Sequence, residues 1–169
     1  MSFSEFMKSL SFLLRYPDET YRFDVEKFEE NTKNLNLYKY LKEFIAYYRG
    51  KSDLDLKEYY VDTFDLTPKN SLCMLDHMCL NNSQKGYELL KIKNFYSEFG
   101  FNPKNNEMPD YIPLFIESLS YIEKKVAIER LGEYELAFQN LYSGLLESKS
   151  PYCGLFGILL DKEALDELL

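Results

Sequence analysis

The 169-residue chain carries 28 acidic against 20 basic residues, a net charge of −8, and 46% of it is hydrophobic, with 15 Tyr, 13 Phe and no Trp. That apolar share supports a real core and excludes a disordered chain. The acidic balance argues against a nucleic-acid partner, whose phosphates are held largely by Lys and Arg, and fits a basic partner better.

The length suits one domain spanning 1–169. Cys73, Cys79 and Cys153 form neither an even set nor a Cys-x-x-Cys pair, so free thiols and a cytoplasmic address are expected. The opening "MSFSEFMKSLSFLLR" has no basic n-region and no small-residue cleavage site, which speaks against a signal peptide. "GLFGILL" is the longest apolar candidate and is too short to span a bilayer, so direct membrane insertion is not expected.

In chain order, Phe3, Phe6, Met7, Leu10, Leu13 and Leu14 follow the spacing of an amphipathic helix that "YPDE" ends at Pro17. A shorter piece surrounds Val25 and Phe28, and Leu37, Leu41, Phe44, Ile45 and Tyr48 carry the helical period to Gly50 as its cap. Ser52 or Asp53 caps a further helix that Thr67-Pro68 closes. Leu72, Leu75, Met78 and Cys79 predict another, followed by a "NNSQ" loop. Leu89, Ile92, Phe95, Tyr96 and Phe99 then run to a terminal Gly100. After the loop "FNPKNNEMP", Asp110 is expected to cap a helix that tolerates Pro113 in its first turn and buries Ile112, Phe115, Ile116, Leu119 and Ile122. Leu131, Tyr134, Phe138, Leu141, Tyr142 and Leu145 repeat the pattern, and "SPYCGLFGILL" with the tail adds shorter pieces. No segment alternates with a period of two, so the fold class is all-α, a multi-helix bundle.

Two groups of acids stand out. Asp55, Glu58, Asp62 and Asp65 fall three or four apart, a stripe of like charges that costs a helix roughly 0.2–0.5 kcal/mol per pair. It reads either as a solvated face opposite Leu56, Tyr60 and Phe64 or as a receptor for a basic segment, with Tyr59 taking apolar residues. Asp110 and Glu117 are expected to project together with Leu114 and Tyr121, away from the Ile112/Phe115/Leu119 face. Carboxylates interleaved with exposed apolar groups suit a groove for a short basic and hydrophobic peptide. His77 with Cys73 and Cys79 offers three potential metal ligands but no fourth, so packing is preferred to a metal-dependent enzyme. Neither a phosphate-cradling glycine loop nor a marked nucleophile and base is present, and no catalytic residue, metal or cofactor is assigned.

"LLRYPDE", "YYVDTFDL", "KGYELLKIKNFYSEFGF", "NEMPDYIPLFIESLSYI" and "SPYCGLFGILL", in this order, resemble the nitrate reductase delta-subunit family, also called NarJ, among the redox-enzyme maturation chaperones. The resemblance covers roughly residues 10 to 160 and implies a TorD-like helical fold, no catalysis and a cytoplasmic chaperone role. Such proteins bind the N-terminal segment of a molybdoenzyme catalytic subunit, here that of nitrate reductase, and hold the apoenzyme for molybdenum-cofactor insertion. Other clients related to dimethyl-sulfoxide or selenate reductases, or an acidic helical adaptor role, remain the alternatives, and the chain itself is expected as monomer or homodimer. By resemblance the peptide surface includes Tyr60, Asp62, Phe64, Asp65, Glu107, Pro109, Asp110 and Pro113, and Tyr59, Tyr111, Leu114 and Glu117 complete the candidate peptide-binding set. Tyr111 stands where many relatives carry histidine, and "NNSQKG" replaces a loop that carries arginines in relatives.

Overall fold

A computed structural model of the chain describes residues 1–103 and 106–169. Of the expected 101–109 loop, Lys104 and Asn105 lie outside the described residues. Among the described residues there are ten α-helices and no strand, so the all-α expectation is met. The buried apolar side chains form one contiguous cluster.

Helix α1 (Phe3–Leu13) begins with a reciprocal cap, in which Ser2 Oγ accepts from Glu5 N–H while the Glu5 carboxylate accepts from Ser2 N–H. It buries Phe6, Met7, Leu10 and Leu13, each worth roughly 1.5–3 kcal/mol relative to exposure. Helices α2 (Tyr21–Thr32) and α3 (Tyr38–Arg49) follow, and Tyr21 ties α2 back by donating from its hydroxyl to Leu13 O at 3.0 Å. Helix α4 (Asp53–Tyr60) does not continue as an α-helix to Thr67. It widens into a π-helical turn, Val61–Asp65, closed by Leu66 N–H donating to Val61 O at 3.0 Å.

The helix expected from Leu72 to Cys79 is absent. Only a short 3-10 turn forms, Met74–His77, because the preceding backbone pairs across the chain instead: Met74 N–H donates to Asp110 O and Ile112 N–H to Leu72 O, each at 2.8 Å. Part of the expected "NNSQ" loop is already helix α5 (Asn82–Glu98), capped by Asn81 and Gln84. Helix α5 ends before Gly100, which adopts φ +69°, a left-handed value that glycine accepts without cost.

Helix α6 (Ile112–Leu119) runs antiparallel to α1, since Ser4 Oγ donates to Ser120 O at 2.7 Å and Ser11 Oγ to Pro113 O at 2.6 Å. The apolar run around 131–145 is broken at Tyr134 into α7 (Lys124–Glu133) and α8 (Glu135–Glu147). Helix α9 (Cys153–Leu160) buries Leu155, Phe156, Ile158 and Leu159 and packs on α3, α8 and the short α10 (Lys162–Asp166).

Candidate functional site: an acid-lined groove at the start of helix α6

The segment 107–113 is held in place by two neighbours and a turn of its own. Tyr96 of α5 donates from its hydroxyl to Pro109 O at 2.6 Å, Tyr111 N–H closes a turn onto Met108 O at 3.0 Å, and residues 72–75 pair with 110–112. Pro113 then sits in the first turn of α6, where its missing N–H leaves no helical bond unmade, and its carbonyl accepts the Ser11 bond.

Asp110 is not the expected helix cap. Tyr111 occupies that position without a side-chain cap bond, and Asp110 is turned inward, 1% exposed, with Oδ2 accepting from Leu75 N–H at 3.2 Å. Its other oxygen has no hydrogen-bond partner among the described residues. The backbone of a segment 35 residues away outcompetes the local cap, so Asp110 ties the 107–113 segment to the Met74–His77 turn rather than facing outward. Leu114, expected beside Asp110 and Glu117 on an open face, is also buried, as are Tyr60, Phe64 and Pro113. Of that predicted face only Glu117, half-buried, and Tyr121, exposed, reach the surface.

Burial pushes the Asp110 carboxyl above the usual aspartate value, against the lowering effect of the Leu75 N–H bond. A group raised in the folded state contributes stability that is full below its unfolded pKa and lost as pH rises through its folded pKa. Asp110→Asn keeps an acceptor for Leu75 and carries no charge, so it should change stability at neutral pH by about 1 kcal/mol or less. Relative to that variant, the wild type should gain stability on mild acidification. Asp110→Ala, which strands the Leu75 N–H, should cost about 1–3 kcal/mol at either pH. Urea unfolding of the three proteins at neutral and mildly acidic pH checks the sign; a wild-type advantage that shrinks on acidification would contradict it.

On the first signature, Tyr60 packs edge-on against Tyr16 at 5.7 Å and near Phe64 at 5.0 Å, and donates from its hydroxyl to Leu14 O at 3.1 Å. Phe64 in turn meets the Tyr152 ring at 4.9 Å. Tyr60 and Phe64 are therefore the inner wall. The acids on the outer side divide by role: Asp55 accepts from Ser52 N–H at 3.0 Å and Ser52 Oγ at 2.7 Å in a capping box, which holds its carboxyl below the usual range. Glu58, Asp62 and Asp65 are exposed and, among the described residues, take no ion pair. The π turn interrupts the α-helical register, so the four acids do not form one continuous α-helical stripe. Tyr59 faces the other way, against Tyr47 at 4.9 Å, and donates to Ser150 Oγ at 3.1 Å.

The two signatures meet at Tyr111. Burial, with Glu107 and Asp65 nearby, pushes its phenol pKa up, while Tyr60 and the Arg15 guanidinium oppose the shift. Arg15, just past α1, reaches both walls: Nη1 lies 2.9 Å from Glu107 Oε1, Nη2 lies 3.0 Å from Glu117 Oε2, and the guanidinium carbon sits 5.7 Å from the Tyr111 ring centre. Beside this pair opens a cavity of about 420 Å³ lined by Phe101, Pro103, Leu114 and Tyr121, and past Glu107 a second of about 470 Å³ bounded by Tyr96, Met108 and Pro109. Met108 and Tyr121, which line these cavities, are large apolar groups left at least half exposed. Helical projection marked Glu117 and the family resemblance Glu107, whereas Arg15 and Phe101, although inside quoted motifs, were not singled out as site residues.

The alternative metal site is not assembled. His77 Nε2 lies 2.6 Å from Ser71 O, and among the described residues no three potential ligands converge. Cys73 is half-buried with its thiol pKa raised by burial and by Asp110, the opposite of an activated nucleophile. Among the described residues no helix is long and apolar enough to cross a membrane.

The chain is an all-α helical protein in which Glu107 and Glu117, bridged by Arg15, border a groove beside the aromatic side chains of Phe101 and Tyr121. A family model for the nitrate reductase delta subunit matches residues 29–157, and the chain belongs to that family. A probable nitrate reductase molybdenum cofactor assembly chaperone, NarJ, of Bacillus subtilis (strain 168) is 32% identical over 155 residues, 90% of this chain and 84% of that protein. The nitrate reductase molybdenum cofactor assembly chaperone NarJ of Escherichia coli (strain K12) is 28% identical over 89% of this chain and 66% of its own length. The chain thus spans just under two thirds of the E. coli relative.

Proposed function

We propose that the protein is a cytoplasmic maturation chaperone that binds the N-terminal segment of a respiratory nitrate reductase catalytic subunit. It holds that subunit while the molybdenum cofactor, which belongs to the client, is inserted. The observation that carries the reading is the groove itself: Glu107 and Glu117 between apolar surfaces of Leu114, Phe101 and Tyr121, in a chain whose relatives are named as assembly chaperones for this enzyme. An amphipathic leader would place apolar side chains in the two cavities and basic ones against Glu107, Glu117 and the free acids Asp62 and Asp65. The net charge of −8 would speed the encounter with a basic segment.

Peptide titration calorimetry with the N-terminal segment of the catalytic subunit encoded in the same genome tests this. Binding is expected at low salt, with affinity falling about tenfold or more between low and high ionic strength as exposed charges are screened. Glu107→Gln with Glu117→Gln should weaken it and flatten that dependence. Binding that ignores both salt and the two substitutions would remove the charge half of the reading, and no binding at all would remove the reading.

A further inference from the structure

Glu107 and Glu117 are not vacant in the free protein. The two ends of the Arg15 guanidinium bridge them at 2.9 and 3.0 Å, with the Tyr111 ring 5.7 Å from its carbon. Two carboxylates set for the two nitrogens of one planar fork, with an aromatic face beside them, match the guanidinium group in a way that a lysine ammonium does not. The Arg15 side chain keeps 26% of its surface accessible, so the pair is open to exchange, and the cavity runs alongside it.

We propose that Glu107, Glu117 and Tyr111 form a guanidinium cradle, that Arg15 is its internal placeholder, and that an arginine of the bound segment takes its place. The proposal rests on the peptide-binding reading above and names the chemistry that reading requires at one point. In the free chaperone Arg15 offsets the repulsion between two carboxylates brought to one cavity. On binding, an arginine of the client inherits both ion pairs and Arg15 moves to solvent. A segment lacking arginine leaves Arg15 in place between the two carboxylates, so Arg15 competes only with an arginine of the client.

The test compares wild type and Arg15→Gln, each titrated with the N-terminal peptide of the catalytic subunit and with the same peptide carrying citrulline in place of each arginine, which keeps the shape and removes the charge. Removing the competitor should tighten the arginine peptide roughly three- to tenfold and leave the citrulline peptide within about twofold. Arg15→Lys, which retains charge but not the fork, should give a smaller gain and serves if Arg15→Gln does not fold. Equal weakening of both peptides would make Arg15 a structural brace, and an unchanged ratio between them would leave it a bystander; either overturns the proposal while the peptide-binding reading stands. Failure of the wild type to bind the arginine peptide would overturn both.

Discussion

Gly154→Ala should destabilise the protein by about 3 kcal/mol or more, while Gly86→Ala should stabilise it by about 0.5–1 kcal/mol. A β-carbon at Gly154 would overlap the Tyr40 carbonyl oxygen and come within 2.9 Å of its carbon. Both atoms are backbone, so no rotamer change relieves the clash; α9 must move away from α3. Such a shift would loosen Leu155, Phe156 and Ile158, all fully buried, and so would spread through the core. One turn later a β-carbon at Gly157 would come within 3.1 Å of the Tyr40 ring and 3.3 Å of the Tyr142 ring, so that side of α9 has little room as well. Gly86 is in α5, has nothing within 4 Å of its β-carbon position, and can only gain helix propensity. Urea unfolding followed by circular dichroism separates the two; Gly154→Ala with wild-type stability would mean that α9 does not lie against the Tyr40 backbone.

Much of the architecture is written in local periodicity. The apolar spacing from Phe3 to Leu13 and from Leu41 to Tyr48 gives α1 and α3 because each buries one face against the same core, and Gly100 ends α5 through its left-handed backbone. Local patterns fail where a partner distant in sequence decides. Asp110 reads as a helix cap because an aspartate before an apolar turn fits that role equally well; only the Leu75 backbone, packed against it in the fold, shows where the carboxylate goes. The same pairing of 72–75 with 110–112 pre-empts the helix that Leu72, Leu75 and Met78 suggest. The π turn at Val61–Asp65 is silent in the sequence because Tyr60 and Phe64 reach the core on either geometry.

The candidate site was legible as types of residue rather than as a place. Glu107 and Glu117 could be marked as acids near apolar groups, yet what makes them a site is Arg15, 92 and 102 residues away respectively, which no spacing rule connects to them. Tyr111 lies near Arg15, Glu107 and Asp65, residues from three separate quoted motifs that only the fold brings together. The carboxylate stripe that looked costly in a continuous helix is relieved locally: Asp55 caps α4, and the π turn takes Asp62 and Asp65 out of its register.

Complete dependence of client recovery on the client's own N-terminal segment is the second large expected effect. The groove offers two cavities, one acidic pair and the exposed side chains of Met108 and Tyr121, and the proposed function seats a short leader there. Losing that leader removes every one of those contacts together, and with them most of the affinity, because a few anchor residues carry the bulk of binding energy in such interfaces. The protein should therefore be tagged and captured gently from cells respiring nitrate without oxygen, with co-purifying chains identified by mass spectrometry. Recovery of a nitrate reductase catalytic subunit, abolished when its N-terminal segment is deleted, is the predicted result. Recovery that survives the deletion, or none while the subunit is present in the lysate, would contradict the account.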